Sequence, residues 1–114
     1  MHNFQYSIRN YNVEDKEVFD QFVKELHNRF PYHDTFVTSD PIDIKQHTHS
    51  DFESRIFLSG FATFVIEGRE IECGPGSYIE IQPNVKHSFK YSGREELRVL
   101  RFFSDEQSWH ANYC

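Results

Sequence analysis

The chain of 114 residues has little cysteine, proline or glycine: two, four and five residues, with one methionine and one tryptophan. Two cysteines, Cys73 and Cys114, cannot build a disulfide framework, and both read as reduced thiols of a reducing cytoplasm. Cations are in the minority, with 12 Lys and Arg against 18 Asp and Glu and a formal charge of −6. Without a basic face to displace counterions, the chain is a poor binder of nucleic-acid backbones and of anionic membranes. No run approaches the roughly 18 apolar residues of a membrane span. The start, Met1 to Gln5, lacks a charged segment followed by an apolar one, so no signal peptide is expected. A composition of 38% apolar and 26% charged residues describes a globular chain and excludes collagen-like and disordered classes. What the chain has in excess is aromatic residues, including 12 Phe, and seven His. The first points to a sheet-rich core of large side chains. The second raises the question of a metal.

At this length one domain is expected, with residues 1–45 supplying an N-terminal strand, a helix and entry strands, and 46–114 a barrel core. Phe4, Tyr6 and Ile8 alternate in a possible short strand. Asn12 reads as a helix N-cap, with Glu14 and Asp15 in a first turn where the helix dipole favours acids. Val18, Phe19, Phe22, Val23, Leu26 and Phe30 recur at helical spacing until Pro31, which predicts one amphipathic helix over 13–29 with its apolar stripe docked on a sheet. Beyond Pro31 the period changes. Thr35–Thr38, a break at Ser39-Asp40-Pro41, then Ile42 and Ile44 alternating with charges, are followed by Ile56–Leu58 and Phe61–Ile66. Glu67-Gly68 reads as a hairpin turn into Arg69–Cys73. Gly74-Pro75-Gly76, Gln82-Pro83-Asn84 and Ser92-Gly93 punctuate strands at Ser77–Ile81, His87–Tyr91 and Leu97–Phe103. Many short strands at regular spacing predict an all-β sandwich or barrel preceded by the helix.

Chemistry concentrates at His47-Thr48-His49. Residues two apart on a strand share a face, so both imidazoles would project together, and Glu53 could share that face on the same or a slightly bulged strand. His87 opens a later strand after a tight turn. Three imidazoles and a carboxylate suit Fe(II), Ni, Mn, Co, Cu or Zn and leave positions open on an octahedral metal. The remaining histidines, His2, His27, His33 and His110, read as ordinary helix, terminal or loop residues. Glu80 alternates with apolar neighbours and is a weaker candidate, as an acid or base facing the barrel interior.

The string His47-x-His49-x-x-x-Glu53, six residues and Gly60, then Gly76, five residues, Gln82-Pro83-Asn84, two residues and His87, resembles the two motifs of the cupin superfamily over residues 44–92. In that family the second motif usually carries Pro-x-Gly where this chain has Gln82-Pro83-Asn84, and Asn tolerates the left-handed backbone that glycine supplies. The resemblance implies a cupin β-barrel, jelly-roll-like, with a metal inside it held by His47, His49, Glu53 and His87. Within the superfamily, His47–Arg55 with its HxHxxxExR pattern, His87-Ser88-Phe89, and the tail Arg98–Trp109 are similar to acireductone dioxygenases, covering residues 46–113. Those proteins are longer on the N-terminal side. They often carry an acidic residue where this chain has Phe52, and commonly a glutamate where it has Gln46.

A metal with two adjacent free positions can chelate an enediol or ketoenol, lower its pKa and leave an electron-rich enediolate that reacts with dioxygen. Arg55 would stabilise the developing negative charge. Phe89 and Trp109 would wall the pocket. The resemblance adds the reaction: cleavage of 1,2-dihydroxy-3-keto-5-methylthiopentene in methionine salvage, to a keto acid and formate with iron, and to methylthiopropionate, formate and carbon monoxide with nickel. Fe(II) or Ni(II) is the expected cofactor, with no organic one, and a small molecule with O2 the expected partner. A homodimer is plausible from cupins generally. Two rival readings share the site: a cupin dioxygenase acting on another small enolisable compound, and a non-enzymatic metal- or ligand-binding module.

Overall fold

Nine short strands and two helices follow one another in the computed structural model, which describes residues 6–111. In chain order they are β1 (Tyr6–Asn10), α1 (Lys16–Arg29), β2 (Tyr32–Thr38), β3 (Ile42–His47), β4 (Glu53–Ser59), β5 (Ala62–Ile66), β6 (Arg69–Cys73), β7 (Ser77–Ile81), β8 (His87–Tyr91), β9 (Leu97–Phe103) and α2 (Glu106–Ala111). They form two antiparallel sheets, β1-β7-β4-β9-β2 and β3-β8-β5-β6. This is the all-β, two-sheet architecture expected from the strand spacing, and it agrees with the barrel that the cupin resemblance implies. Phe4, His2 and Cys114 lie outside the described residues. Among the described residues no helix is long and apolar enough to cross a membrane.

Alternation along each strand assigns the faces. Phe57, Phe64, Ile66, Ile79, Ile81, Phe89, Leu97 and Val99 point between the sheets and form one buried cluster. On the other face of the five-stranded sheet, Ile56, Tyr78 and Phe102 receive Phe19, Leu26 and Phe30 of the α1 region in a second cluster. Each buried side chain of this size removed from water contributes on the order of 1.5–3 kcal/mol, which makes the docked stripe, rather than helix propensity, the reason α1 is stable.

The structure corrects the start of that helix. Its N-cap is Asp15, whose carboxylate accepts from the Val18 amide. Asn12 closes the preceding turn instead: its side chain accepts from the Glu14 amide and its carbonyl from Asp15. An Asx turn and an N-cap draw on the same residue types, so composition alone cannot separate them. The acidic, Trp-containing tail adds a short second helix, α2. His33, expected in a loop, is on β2, and His110 falls within α2.

Residues at positive φ set two of the turns. The β5–β6 hairpin turns on Glu67 and Gly68, both at positive φ (49° and 81°), as a two-residue I′-type connection requires. Gly76 has φ +91°, and a Cβ there would stand 1.9 Å from the Tyr11 carbonyl oxygen. That close approach is the join itself, since Gly76 accepts from the Tyr11 amide and donates to the Phe57 carbonyl, each at 2.8 Å. Gly76→Ala must therefore break the β1–β7 junction as well as strain φ. We expect a loss of at least about 3 kcal/mol, read as a lowered denaturant midpoint; an unchanged midpoint would refute this account of the turn.

Candidate metal centre

His47, His49, Glu53 and His87 come together, with one donor atom from each lying within 4.8 Å of all the others. The route differs from simple strand alternation. His47 is the last residue of β3 and sits opposite His87, the first of β8, across a bulge that follows Ile44. His49 lies past the strand end, in a loop held by the Asn84 amide donating to the His49 carbonyl at 2.8 Å. Asn84 adopts φ 64°, the left-handed backbone expected of it. Glu53 shares no strand with the histidine pair. It opens β4 in the other sheet, registered against Ile81. The cluster thus bridges the end of the seam between the two sheets.

Each imidazole is oriented from behind. Nδ1 of His47, His49 and His87 faces the carbonyl oxygen of Lys45, Asp51 and Val85 at 2.8, 3.2 and 2.8 Å. A carbonyl only accepts, so each Nδ1 carries the proton and each Nε2 turns a lone pair inward. Glu53 Oε1 nevertheless stands 2.6 Å from His49 Nε2 and 3.0 Å from His87 Nε2. Acceptors held this close need a proton or a cation between them. Glu53 Oε2 is buried with no hydrogen-bond partner, which is costly unless something positive occupies that side. Burial by itself pushes the Glu53 carboxyl up. The Arg55 charge, with the His49 and His87 rings facing the carboxylate, outweighs it and holds the group well below the usual carboxylate range. An anionic carboxylate, three inward lone pairs and an orphaned oxygen in one pocket fit a divalent transition metal.

A cavity of about 80 Å³ lies between the sheets, lined in part by Arg55 and Phe89, which stand two residues beyond Glu53 and His87 on β4 and β8. Its wall is mostly apolar, with Phe36, Phe57, Phe64 and Phe89, and two guanidiniums, Arg55 and Arg101, enter it. Arg55 is 3% exposed. It donates to the Ser54 carbonyl at 3.0 Å and lies over the Phe103 ring at 4.9 Å, so it is a buried cation and not a surface ion pair.

Trp109 is placed elsewhere. It stacks on Tyr32 at 5.5 Å and donates Nε1–H to Asp34 at 3.2 Å, and it is not among the residues lining this cavity. Asp34 in turn takes a two-pronged pair of hydrogen bonds from Arg101, both 2.8 Å. Trp109 is thus linked to the pocket through Asp34 and Arg101.

Glu80, weighed as an interior acid or base, is on the opposite face of its sheet, bonded to Tyr78 and Arg29. Arg101 was missed, though a signal existed: it stands in the apolar phase of Leu97, Val99 and Phe103, whereas Arg98 stands out of phase. His27 packs edge-to-face on His33 at 4.2 Å and on Phe102 at 5.3 Å. Burial, with the nearby His33, lowers its pKa. Cys73 is a free, buried thiol that burial pushes up to about 12, a structural group and not a nucleophile.

The ligand spacing and the fold agree with what the chain resembles. Acireductone dioxygenase of Aquifex aeolicus is 34% identical over 74 residues, which is 61% of this chain and 40% of that protein. The same-named protein of Bacillus thuringiensis is 31% identical over 70 residues, 57% and 41%. The chain thus matches about two fifths of the length of these curated relatives. In structure it is similar to the acireductone dioxygenase from Bacillus anthracis with a cadmium ion in its active centre (TM-score 0.68, 20% identity, 89% of this chain and 79% of that one). It is also similar to a DUF861 family protein from Thermotoga maritima (TM-score 0.61, 13% identity, 86% and 98%). At these identities the structural likeness is one of fold. The model of the ARD/ARD′ family, however, matches residues 4–111, nearly the whole sequence, and the chain accordingly belongs to that family.

Proposed function

We propose that the chain is a metal-dependent dioxygenase of the acireductone type, holding Fe(II) or Ni(II) on His47, His49, Glu53 and His87. One observation carries the reading: three Nε2 lone pairs and an unpartnered carboxylate oxygen converge beside a buried arginine. When bound, the metal supplies Lewis acidity to the neighbouring oxygens of an enediol and so favours its dianionic form. The chain's own residues do the rest. The backbone carbonyls of Lys45, Asp51 and Val85 fix each imidazole in the ligating tautomer, so no reorganisation is needed when a ligand arrives. Arg55 places a permanent positive charge where the substrate oxygens become anionic. Phe89, Phe57 and Phe64 keep the adjoining cavity apolar, which strengthens that interaction and excludes water. Dioxygen is the oxidant, and a carbon–carbon bond of the enediolate breaks.

The reading supports a place in methionine salvage, a cytoplasmic setting, and a homodimer paired through a sheet edge such as β3 or β6. An oxygen electrode tests the reaction. Chain loaded with Fe(II) should consume O2 at a rate that saturates with an acireductone, and metal-loaded chain inert under those conditions would sink the assignment.

A further inference from the structure

Glu53 opens its strand with a backbone partner on one side only: its register against β7 begins at Ile81, but β4 meets β9 only from Ser54 onward. Its two chain neighbours point out of the barrel, and both are held by the end of α1. Phe52, before it, stacks on Phe30 with ring centroids 6.0 Å apart, and the Arg29 guanidinium lies over both rings, at 5.0 Å from Phe30 and 5.9 Å from Phe52. Ser54, after it, meets the Tyr78 hydroxyl at 2.6 Å, and Tyr78 meets Glu80 Oε2 at 2.6 Å. Glu80 closes the loop on Arg29 Nη1 at 3.1 Å. A carboxylate only accepts, so Tyr78 spends its proton on Glu80, and Ser54 donates to the Tyr78 oxygen. The order of donors along this chain is therefore fixed.

We propose that Arg29 is a positioning residue for the metal ligand Glu53: from the end of α1 it grips Phe52 by its rings and Ser54 through Glu80 and Tyr78. At Phe52 an aromatic contact to the end of the helix does the holding. The clamp acts from outside the barrel, through the sheet, on a carboxylate it never touches. A ligand must be held within a fraction of an ångström for tight coordination, so loosening either jaw shortens the time a metal stays bound.

The inference rests on the metal reading above, and the experiment separates the two. Full-length chain is loaded with Ni(II), and its release to excess chelator is followed spectroscopically beside the melting temperature of the metal-free protein. Tyr78→Phe, which keeps the ring, and Arg29→Ala should each release nickel about tenfold faster than wild type, as expected when a group orienting a ligand is lost. Arg29→Lys keeps the charge on Glu80 and should fall between wild type and Arg29→Ala. Phe19→Ala loosens the far end of the same helix and should lower melting without speeding release. Release at the wild-type rate from both Tyr78→Phe and Arg29→Ala overturns the clamp. So does faster release from Phe19→Ala matching that of Arg29→Ala, which would reduce the clamp to general helix docking. A wild-type chain that takes up no nickel overturns the metal reading itself, and the clamp with it.

Discussion

Replacing His87 with alanine should strip the metal while leaving a folded chain. His87 is 1% exposed, with Nδ1 tied to the Val85 carbonyl and Nε2 turned to Glu53 Oε1. The substitution removes one of four donors and leaves a polar hollow that water can fill. Losing a group that merely orients a ligand costs 10–100-fold in affinity, so losing the ligand itself should cost at least about 100-fold. The fold should persist, because β8 is held by backbone pairing to β3 and β5 and not by this ring. The lost packing should cost about 2–3 kcal/mol, at the lower end of large-to-alanine substitutions. Elemental analysis of protein purified without added metal, with calorimetric titration, measures the effect. His27→Ala is the control: its ring packs at the helix–sheet interface on His33 and Phe102, so metal content should not change. His87→Ala protein with wild-type metal content would refute the ligand set.

The second large effect is expected at Arg55, and its signature is the opposite one. Arg55→Ala should keep the metal and lose the reaction. The guanidinium is not one of the four donors; it is buried beside Glu53 and lines the cavity between the sheets. Removing a preorganised donor from the position where negative charge develops costs about 10²–10³ in turnover, or roughly 2.7–4 kcal/mol of transition-state stabilisation. The loss should appear in kcat more than in KM, since the charge is largest in the transition state. Arg55→Lys should recover only part of it, because an ammonium lacks the planar fork that stacks over Phe103. Turnover within a few-fold of wild type, in Arg55→Ala protein shown to hold metal, would remove this residue from the mechanism. The same variant separates an oxygenase from a pure binding module, which has no turnover to lose.

Much of the molecule was legible in the sequence because strands and turns announce themselves locally. Gly74-Pro75-Gly76 and Glu67-Gly68 mark turns whose backbone demands special residues, and the apolar stripe from Phe19 to Phe30 has a helical period. What stayed hidden were phases and partners. Glu80 alternates with apolar neighbours, but which phase faces inward depends on which side α1 covers, a long-range fact. His47 and His49 were expected to share a strand face. They meet because β3 ends at His47 and a loop carries His49 around, anchored by Asn84 from a distant turn. Trp109 reads as a pocket wall through the resemblance of the tail, yet its indole N–H donates to Asp34. The grip of Arg29 on both neighbours of Glu53 has no local signal at all, since Phe52 and Glu80 are 23 and 51 positions away along the chain.

The position of the ligands at the seam has a consequence for timing. His47 and His87 belong to one sheet and Glu53 to the other, so an ion between them fastens the two sheets at that end. A bound ion would therefore make openings of β3 and β8 away from β4 rarer, and metal binding would appear as slowed hydrogen exchange on both sides of the seam.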